Sequence, residues 1–166
     1  MASNTDQIFP AIGYFPQAVS ETVAAFRSLG INDQLTLLGT IYQMLGCSLT
    51  PVTPGTARLF LTQGLLHRIK QMSHTEQLSA IYDILGGADT PITRQYGMFA
   101  PNTKLAFWYQ LFEWMSMGEV VPLVIGSSLS PSATRLLAKI VSLDYSAQIE
   151  VVSQVIVEMG VAPLAA

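Results

Sequence analysis

Every apolar stretch in this chain is broken by Gly, Pro, Gln, Glu, Arg or Thr before it reaches the roughly 18 consecutive residues that a membrane-spanning helix requires. The interruption matters because half of the 166 residues are hydrophobic, only 11% are charged, and the mean hydropathy is +0.41. That is a high apolar content for a globular chain. Without a membrane span, so much apolar side chain has to fill an interior, line a cavity or cover a contact surface. A chain of this length can bury about 68–70% of the surface its unfolded form exposes. One compact domain over residues 1–166 is the expectation.

Between the breaks, apolar residues recur at spacings of three and four, which gives the expected class as all-α. The first helix is expected from about Pro16 to Leu29, with Val19, Val23 and Phe26 on one side and Gly30 as its stop. Asn32 or Asp33 would cap a second, carrying Leu35, Leu38, Tyr42 and Leu45 up to Gly46. Ser48 to Gly55, with Pro51 and Pro54, reads as a loop. Thr56 to Met72 is a third helix, and Ser73-His74-Thr75-Glu76 has the form of a capping box opening a fourth that ends at Gly86-Gly87. Asp89-Thr90-Pro91 starts a short helix through Met98. Pro101-Asn102-Thr103 opens an aromatic one from Lys104 to Met117, apolar nearly all round and containing Phe107, Trp108, Tyr109, Phe112 and Trp114. Val120 to Ser130, with Pro122 and Gly126, reads as a connector. Ser130-Pro131 then begins a helix to Leu143, and Asp144 or Ser146 caps the last, which runs to Met159. Seven or eight helices of this length are too short to be stable alone and must pack as bundles sharing a core.

Residues that carry catalytic or ligating chemistry are sparse. A hydrolase triad needs a nucleophile, a His and a carboxylate together, yet the chain has only His67 and His74 and no G-x-S-x-G elbow. No third metal ligand lies near the two in sequence, and no glycine-rich phosphate cradle is present. The expectation is no enzyme, no metal and no nucleotide. Eight basic residues against eleven acidic ones give a net charge of −3 and a pI near 5.2, which leaves no basic stripe for nucleic acid. Cys47 alone cannot form an internal disulfide, and Met1 to Pro10 shows no secretory signal, so a reducing cytoplasm is compatible.

The residues themselves leave two readings of the aromatic positions. In one, Tyr42 on one helix and Trp108 with Tyr109 on another line a pocket for a flat or elongated apolar ligand, with Met115 as adaptable filling. In the other they are ordinary core, where Trp and Tyr commonly sit whatever their task.

A run of landmarks bears on that choice. Asp33-Gln34-Leu35, Tyr42, Asp89-Thr90-Pro91, Pro101-Asn102-Thr103-Lys104-Leu105-Ala106-Phe107-Trp108-Tyr109 and Glu158-Met159-Gly160 occur in order. With them the chain resembles the helical carotenoid proteins, relatives of the N-terminal domain of the cyanobacterial orange carotenoid protein. The similarity runs from Ile8-Phe9-Pro10 to Gly160, and no C-terminal capping domain follows, as in the stand-alone members. The resemblance implies two interleaved four-helix bundles with a ketocarotenoid (canthaxanthin, echinenone or hydroxyechinenone) threaded lengthwise between them. It implies photoprotection by singlet-oxygen quenching, a cytoplasmic location for which a place near thylakoid membranes is compatible, and family-level chloride binding. A homologue of the capping domain is an implied carotenoid-exchange partner. Carried over by motif, the carotenoid-binding positions are Leu35, Leu38, Tyr42, Ile81, Leu105, Trp108, Tyr109, Met115 and Ile149, with the Tyr42 and Trp108 donors turned outward from the pigment.

The chain also departs from the family pattern. Gly39 stands where that pattern often has a Trp, one turn before Tyr42, and Phe112 or Trp114 is the expected filler of the space. Ser153, Gln110 and Gly87 stand where the orange carotenoid protein has arginines. A Ser cannot replace a planar, permanently charged fork, so docking to the phycobilisome is not expected. Two alternatives stand beside the main reading: a phycobilisome-associated energy quencher, and a pigment-free helical interaction module.

Overall fold

The computed structural model describes residues 9–46, 56–123 and 129–163. Among them are eight helices and no strand: α1 (Phe9–Arg27), α2 (Ile31–Leu45), α3 (Thr56–Lys70), α4 (His74–Gly86), α5 (Pro91–Gly97), α6 (Pro101–Met117), α7 (Pro131–Ser142) and α8 (Tyr145–Val157). They form two interleaved four-helix bundles. One is made from the two ends of the chain, with α1 against α7 and α8 and α2 against α7. The middle of the chain makes the other, with α3 against α4, α5 and α6 and α4 against α5. The bundles meet where α2 crosses α4 and α6 and where α6 lies on α8. One continuous core runs through both, including Phe26, Leu38, Ile69, Ile84, Phe107 and Val152.

Several helix ends follow directly from local chemistry. The Ser73 hydroxyl accepts from Glu76 N (3.2 Å) and the Glu76 carboxylate accepts from Ser73 N (2.9 Å), a complete capping box. Asp144 accepts from Ala147 N at 2.8 Å and Ser130 from Ala133 N at 3.2 Å, so α8 and α7 begin where expected. Gly87, in the left-handed conformation at φ 72°, ends α4.

Other ends differ from expectation. Helix α1 starts at Phe9 rather than Pro16, with Pro10 in its first turn, where a missing N–H is tolerated. Gly30 does not stop α1; it is the N-cap of α2, which makes no side-chain capping bond. Asn32 and Asp33 are committed to tertiary contacts instead: the Asn32 side-chain oxygen accepts from the Tyr82 hydroxyl, and the Asp33 carboxylate accepts from Ser130 N at 3.3 Å. Helix α3 ends at Lys70, two residues before Met72. Helix α6 begins at Pro101, which puts Lys104 inside the helix, and α8 stops at Val157 rather than Met159. The expected loop at 48–55 and the part of the connector at 124–128, Gly126 included, lie outside the described residues.

Being apolar over most of its circumference, α6 is stable only when most of it is covered, and beyond its first turn only a strip with Glu113, Ser116 and Met117 stays exposed. It is the buried axis of the molecule, touching α2, α3 and α8.

Candidate functional site

Where α2 crosses α6, the seam between the bundles holds a cavity of about 290 Å³. Its walls are Gly39, Tyr42 and Gln43 from α2, Tyr109, Phe112, Glu113, Met115 and Ser116 from α6, and Leu123 from the strap that follows α6. One side is apolar and aromatic; Gln43, Glu113 and Ser116 make the other polar. The Phe112 ring is central, 5.2 Å from Tyr42 and 5.5 Å from Trp108, inclined 31° to the latter. Trp108 has no exposed surface and stands behind Phe112, with Phe107 set edge-on to its other side at 5.6 Å.

Buried polar groups around the site are all engaged. The Tyr42 hydroxyl donates to the Leu105 carbonyl at 3.0 Å, tying α2 to α6. The Trp108 indole N–H donates to the Tyr96 hydroxyl at 2.9 Å, and that hydroxyl donates to the Ile156 carbonyl at 2.8 Å. Burial pushes both phenols far above the ordinary tyrosine range, so neither loses its proton near neutrality. The Lys104 ammonium donates to the Val157 carbonyl at 2.8 Å and lies 5.3 Å from the Tyr96 ring centre; burial lowers its pKa. Lys104 thereby gives the Val157 carbonyl at the end of α8 a donor that a helix end otherwise lacks, and Tyr96 adds a donor to the Ile156 carbonyl, which also accepts from Met159 N at 3.3 Å.

Of the nine positions carried over from the resemblance, Tyr42, Tyr109 and Met115 border the cavity. Leu105 and Trp108 lie immediately behind it, through the Tyr42 hydrogen bond and the Phe112 stack. Leu35, Leu38 and Ile81 are in the common core and Ile149 is half-buried against it; none of the four borders this cavity. The two polar tips are bonded to protein, the Tyr42 hydroxyl to Leu105 O and the Trp108 indole to Tyr96, because each is buried and a buried donor needs an acceptor.

The space beside Gly39 is filled, but not by Trp114. A Cβ on Gly39 would come within 2.4 Å of Leu123 Cδ2 and 3.1 Å of Phe112 Cε1. Trp114 faces α3 instead, with the Lys70 ammonium 4.6 Å from its ring centre and His67 at 6.2 Å. Leu123 is held in the Gly39 notch by its strap: Glu119 pairs with Lys70, Val120 is fully buried, and Val121 N donates to Gln77 Oε1 at 2.7 Å. The sequence signal was the apolar run Val120-Val121-Pro122-Leu123 in a non-helical connector; Tyr96, on a seven-residue helix, gave none.

The notch carries a prediction. Gly39→Ala should cost about 1–2 kcal/mol, the usual penalty for overpacking against a side chain that can shift. Adding Leu123→Ala should recover part of that loss, so a double-mutant cycle in urea gives strong coupling. Additive costs would mean that Leu123 does not occupy the notch.

No group of three or more His, Cys, Asp or Glu among the described residues could hold a metal ion. No helix among the described residues is long and apolar enough to cross a membrane. Two interleaved bundles with an aromatic, largely apolar cavity at their seam define a helical domain of the kind that encloses an apolar guest between its helices.

The chain belongs to the orange carotenoid protein N-terminal family, whose profile, described as "Orange carotenoid protein, N-terminal", matches residues 14–162. It is 45% identical over 148 residues to an orange carotenoid-binding domain-containing protein of Nostoc sp., covering 89% of this chain and 86% of that protein. It is 39% identical to the orange carotenoid-binding protein of Synechocystis sp., across 90% of this chain and 49% of that protein, so the chain spans about half the length of this relative. Among solved structures, the orange carotenoid protein of Anabaena (Nostoc) sp. binding canthaxanthin matches with a TM-score of 0.81 at 36% identity, over 90% of this chain and 51% of that one. The Red Carotenoid Protein of the same organism, also binding canthaxanthin, matches at 0.74 and 29% identity, over 86% of this chain and 98% of that one.

Proposed function

We propose that residues 1–166 form one carotenoid-binding unit that holds a ketocarotenoid along the seam between its bundles and protects against light by quenching singlet oxygen. The observation that carries this reading is the meeting of Tyr42 from one bundle with Phe112, Tyr109 and Met115 from the other around a single cavity, in a chain of this family. Canthaxanthin is the pigment named in two of the matching structures; echinenone and hydroxyechinenone are the other candidates. A polyene is rigid and nearly all apolar, so at roughly 25 cal/mol per Å² of buried apolar area its enclosure supports tight binding without an ion pair. Leu35, Leu38, Ile81, Leu105, Trp108 and Ile149 extend the site from the cavity into the seam on this reading, with Leu123 as an added wall. The pigment itself takes up the excitation and releases it as heat. The protein supplies position and shielding, and no side chain acts as a catalyst.

Singlet-oxygen quenching is favoured over phycobilisome quenching by three positions. Ser153 is half-buried, Gln110 is bonded to Glu113 at 3.3 Å, and Gly87 has no side chain; none offers the guanidinium of the resembling proteins.

Production in a host making ketocarotenoids tests the proposal. A coloured protein is expected, absorbing at longer wavelength than free pigment and slowing the bleaching of a singlet-oxygen trap under a photosensitiser. Its addition to phycobilisomes should leave their fluorescence unchanged. A folded but colourless product sinks the pigment reading and leaves the helical interaction module.

A further inference from the structure

The wall of the cavity is held by a residue that does not touch the cavity. Phe112 faces the space, Trp108 supports Phe112 from behind at 5.5 Å, and the only polar atom of Trp108 is tied to Tyr96 at 2.9 Å. We propose that Tyr96 is a positioning residue for the pigment site: its hydroxyl, held between the Trp108 indole and the Ile156 carbonyl, fixes the indole and through it the Phe112 wall. The inference rests on the carotenoid-binding reading for its functional meaning, though not for its geometry.

The chemistry leaves few substitutes. An indole N–H only donates and a backbone carbonyl only accepts, so the group joining them must accept from one and donate to the other. A phenol does both. Lys104, with its ammonium 5.3 Å from the Tyr96 ring centre and bonded to Val157, only donates and cannot receive the indole proton. Tyr96 and Trp108 both have 0% exposure, so water does not reach in to take over either bond. The three groups come from three helices: Tyr96 from α5, Trp108 from α6 and Ile156 from α8. Since α8 belongs to one bundle and α5 and α6 to the other, this hydroxyl fixes the indole against a bond that crosses from one bundle to the other, beside the Lys104–Val157 bond. Neighbouring rings define the tilt further, with Tyr96 itself at 6.4 Å and 75° to Trp108 and Phe107 at 5.6 Å and 86°.

The test uses pigment-loaded Tyr96→Phe, which keeps the ring and removes the hydroxyl. Expected are a displaced pigment absorption band and transfer of pigment to acceptor phosphatidylcholine vesicles about tenfold faster, equivalent to about 1.4 kcal/mol. In a Trp114→Phe background, where Trp108 is the sole fluorophore of its kind, its emission should also move. Lys104→Met is the comparison: it removes the neighbouring bond to α8 and should lower the melting temperature while leaving the pigment band and the Trp108 emission in place. Should Tyr96→Phe not fold, hydrogen exchange in the unaltered protein decides, since the Trp108 indole N–H is expected to exchange as slowly as the core amides. A fast-exchanging indole, or a Tyr96→Phe protein that melts earlier with its pigment band, transfer rate and Trp108 emission unchanged, overturns the inference. A colourless unaltered protein removes the pigment reading instead, and the Trp108 emission of the colourless form still tests the positioning.

Discussion

Trp108→Ala is expected to destabilise the protein by about 3–5 kcal/mol, the range for removing a large buried aromatic side chain, and to lower Tm by about 10 °C in a chain of this size. Trp108 has 0% exposure, sits among the rings of Tyr96, Phe107 and Phe112, and donates its indole proton to Tyr96. Truncation opens a cavity and leaves the Tyr96 oxygen without its donor. Urea and thermal melts of the pigment-free protein read the loss, and a cost below about 1 kcal/mol would contradict the packing described, given the usual scale of such truncations. A consequence follows for pigment work. A colourless Trp108→Ala protein reports a damaged fold as readily as a lost contact, so Trp108→Phe and Tyr42→Phe are the informative changes. Tyr42→Phe deletes only the bond to Leu105 and keeps the ring against Phe112.

Gly97→Ala should cost about 3 kcal/mol, at the upper end of ordinary overpacking. A Cβ there would stand 1.8 Å from the Val161 carbonyl oxygen and 2.7 Å from its carbon. Both are backbone atoms, so no rotamer change relieves the clash, in contrast to Gly39 with its Leu123 side chain. The segment after α8 must lift away, breaking Gly160 N to Ile84 O (2.9 Å) and Val161 N to Thr93 O (3.2 Å). Hydrogen exchange at Gly160 and Val161 should rise together with the loss of Tm. Amides still protected at wild-type stability would show that the backbone makes room for the Cβ without lifting the segment, against the close approach described.

The contrast between those two glycines also shows where sequence reading succeeds and where it stops. Ser73-Glu76, Ser130-Pro131 and Asp144 announce helix starts because capping is local, a matter of side chains three residues apart. The all-helical class follows from periodicity, and the burial of most of α6 from its aromatic and aliphatic residues, which leave only a narrow polar strip at Gln110, Glu113 and Ser116. Asn32 and Asp33 mislead for the opposite reason: both are good caps whose oxygens are taken by Tyr82 and Ser130, far away in sequence. At the site, Tyr42 and Tyr109 were legible as landmarks and Met115 as an adaptable apolar position on the same helix as Tyr109, and the cavity brings the three together. Leu123 was not, because nothing local says that a strap side chain will fill a notch in α2. Tyr96 was not legible either, since its weight comes from two hydrogen bonds to partners 12 and 60 residues distant.

The capping of α8 by Tyr96 and Lys104 has a mechanical consequence. Parting the bundles along α8 would take the Tyr96 hydroxyl from the Ile156 carbonyl, which keeps Met159 N at 3.3 Å, and the Lys104 ammonium from the Val157 carbonyl, leaving the buried Tyr96 and Lys104 donors in need of other acceptors. Parting them along α2 displaces the aliphatic tip of Leu123 and the edge of Phe112 from Gly39 and breaks the Tyr42 bond to Leu105 and the Tyr82 bond to Asn32. The seam is fastened along both edges by tyrosine hydroxyls, as a book is by two clasps: Tyr96 on the α8 side and Tyr42 on the α2 side.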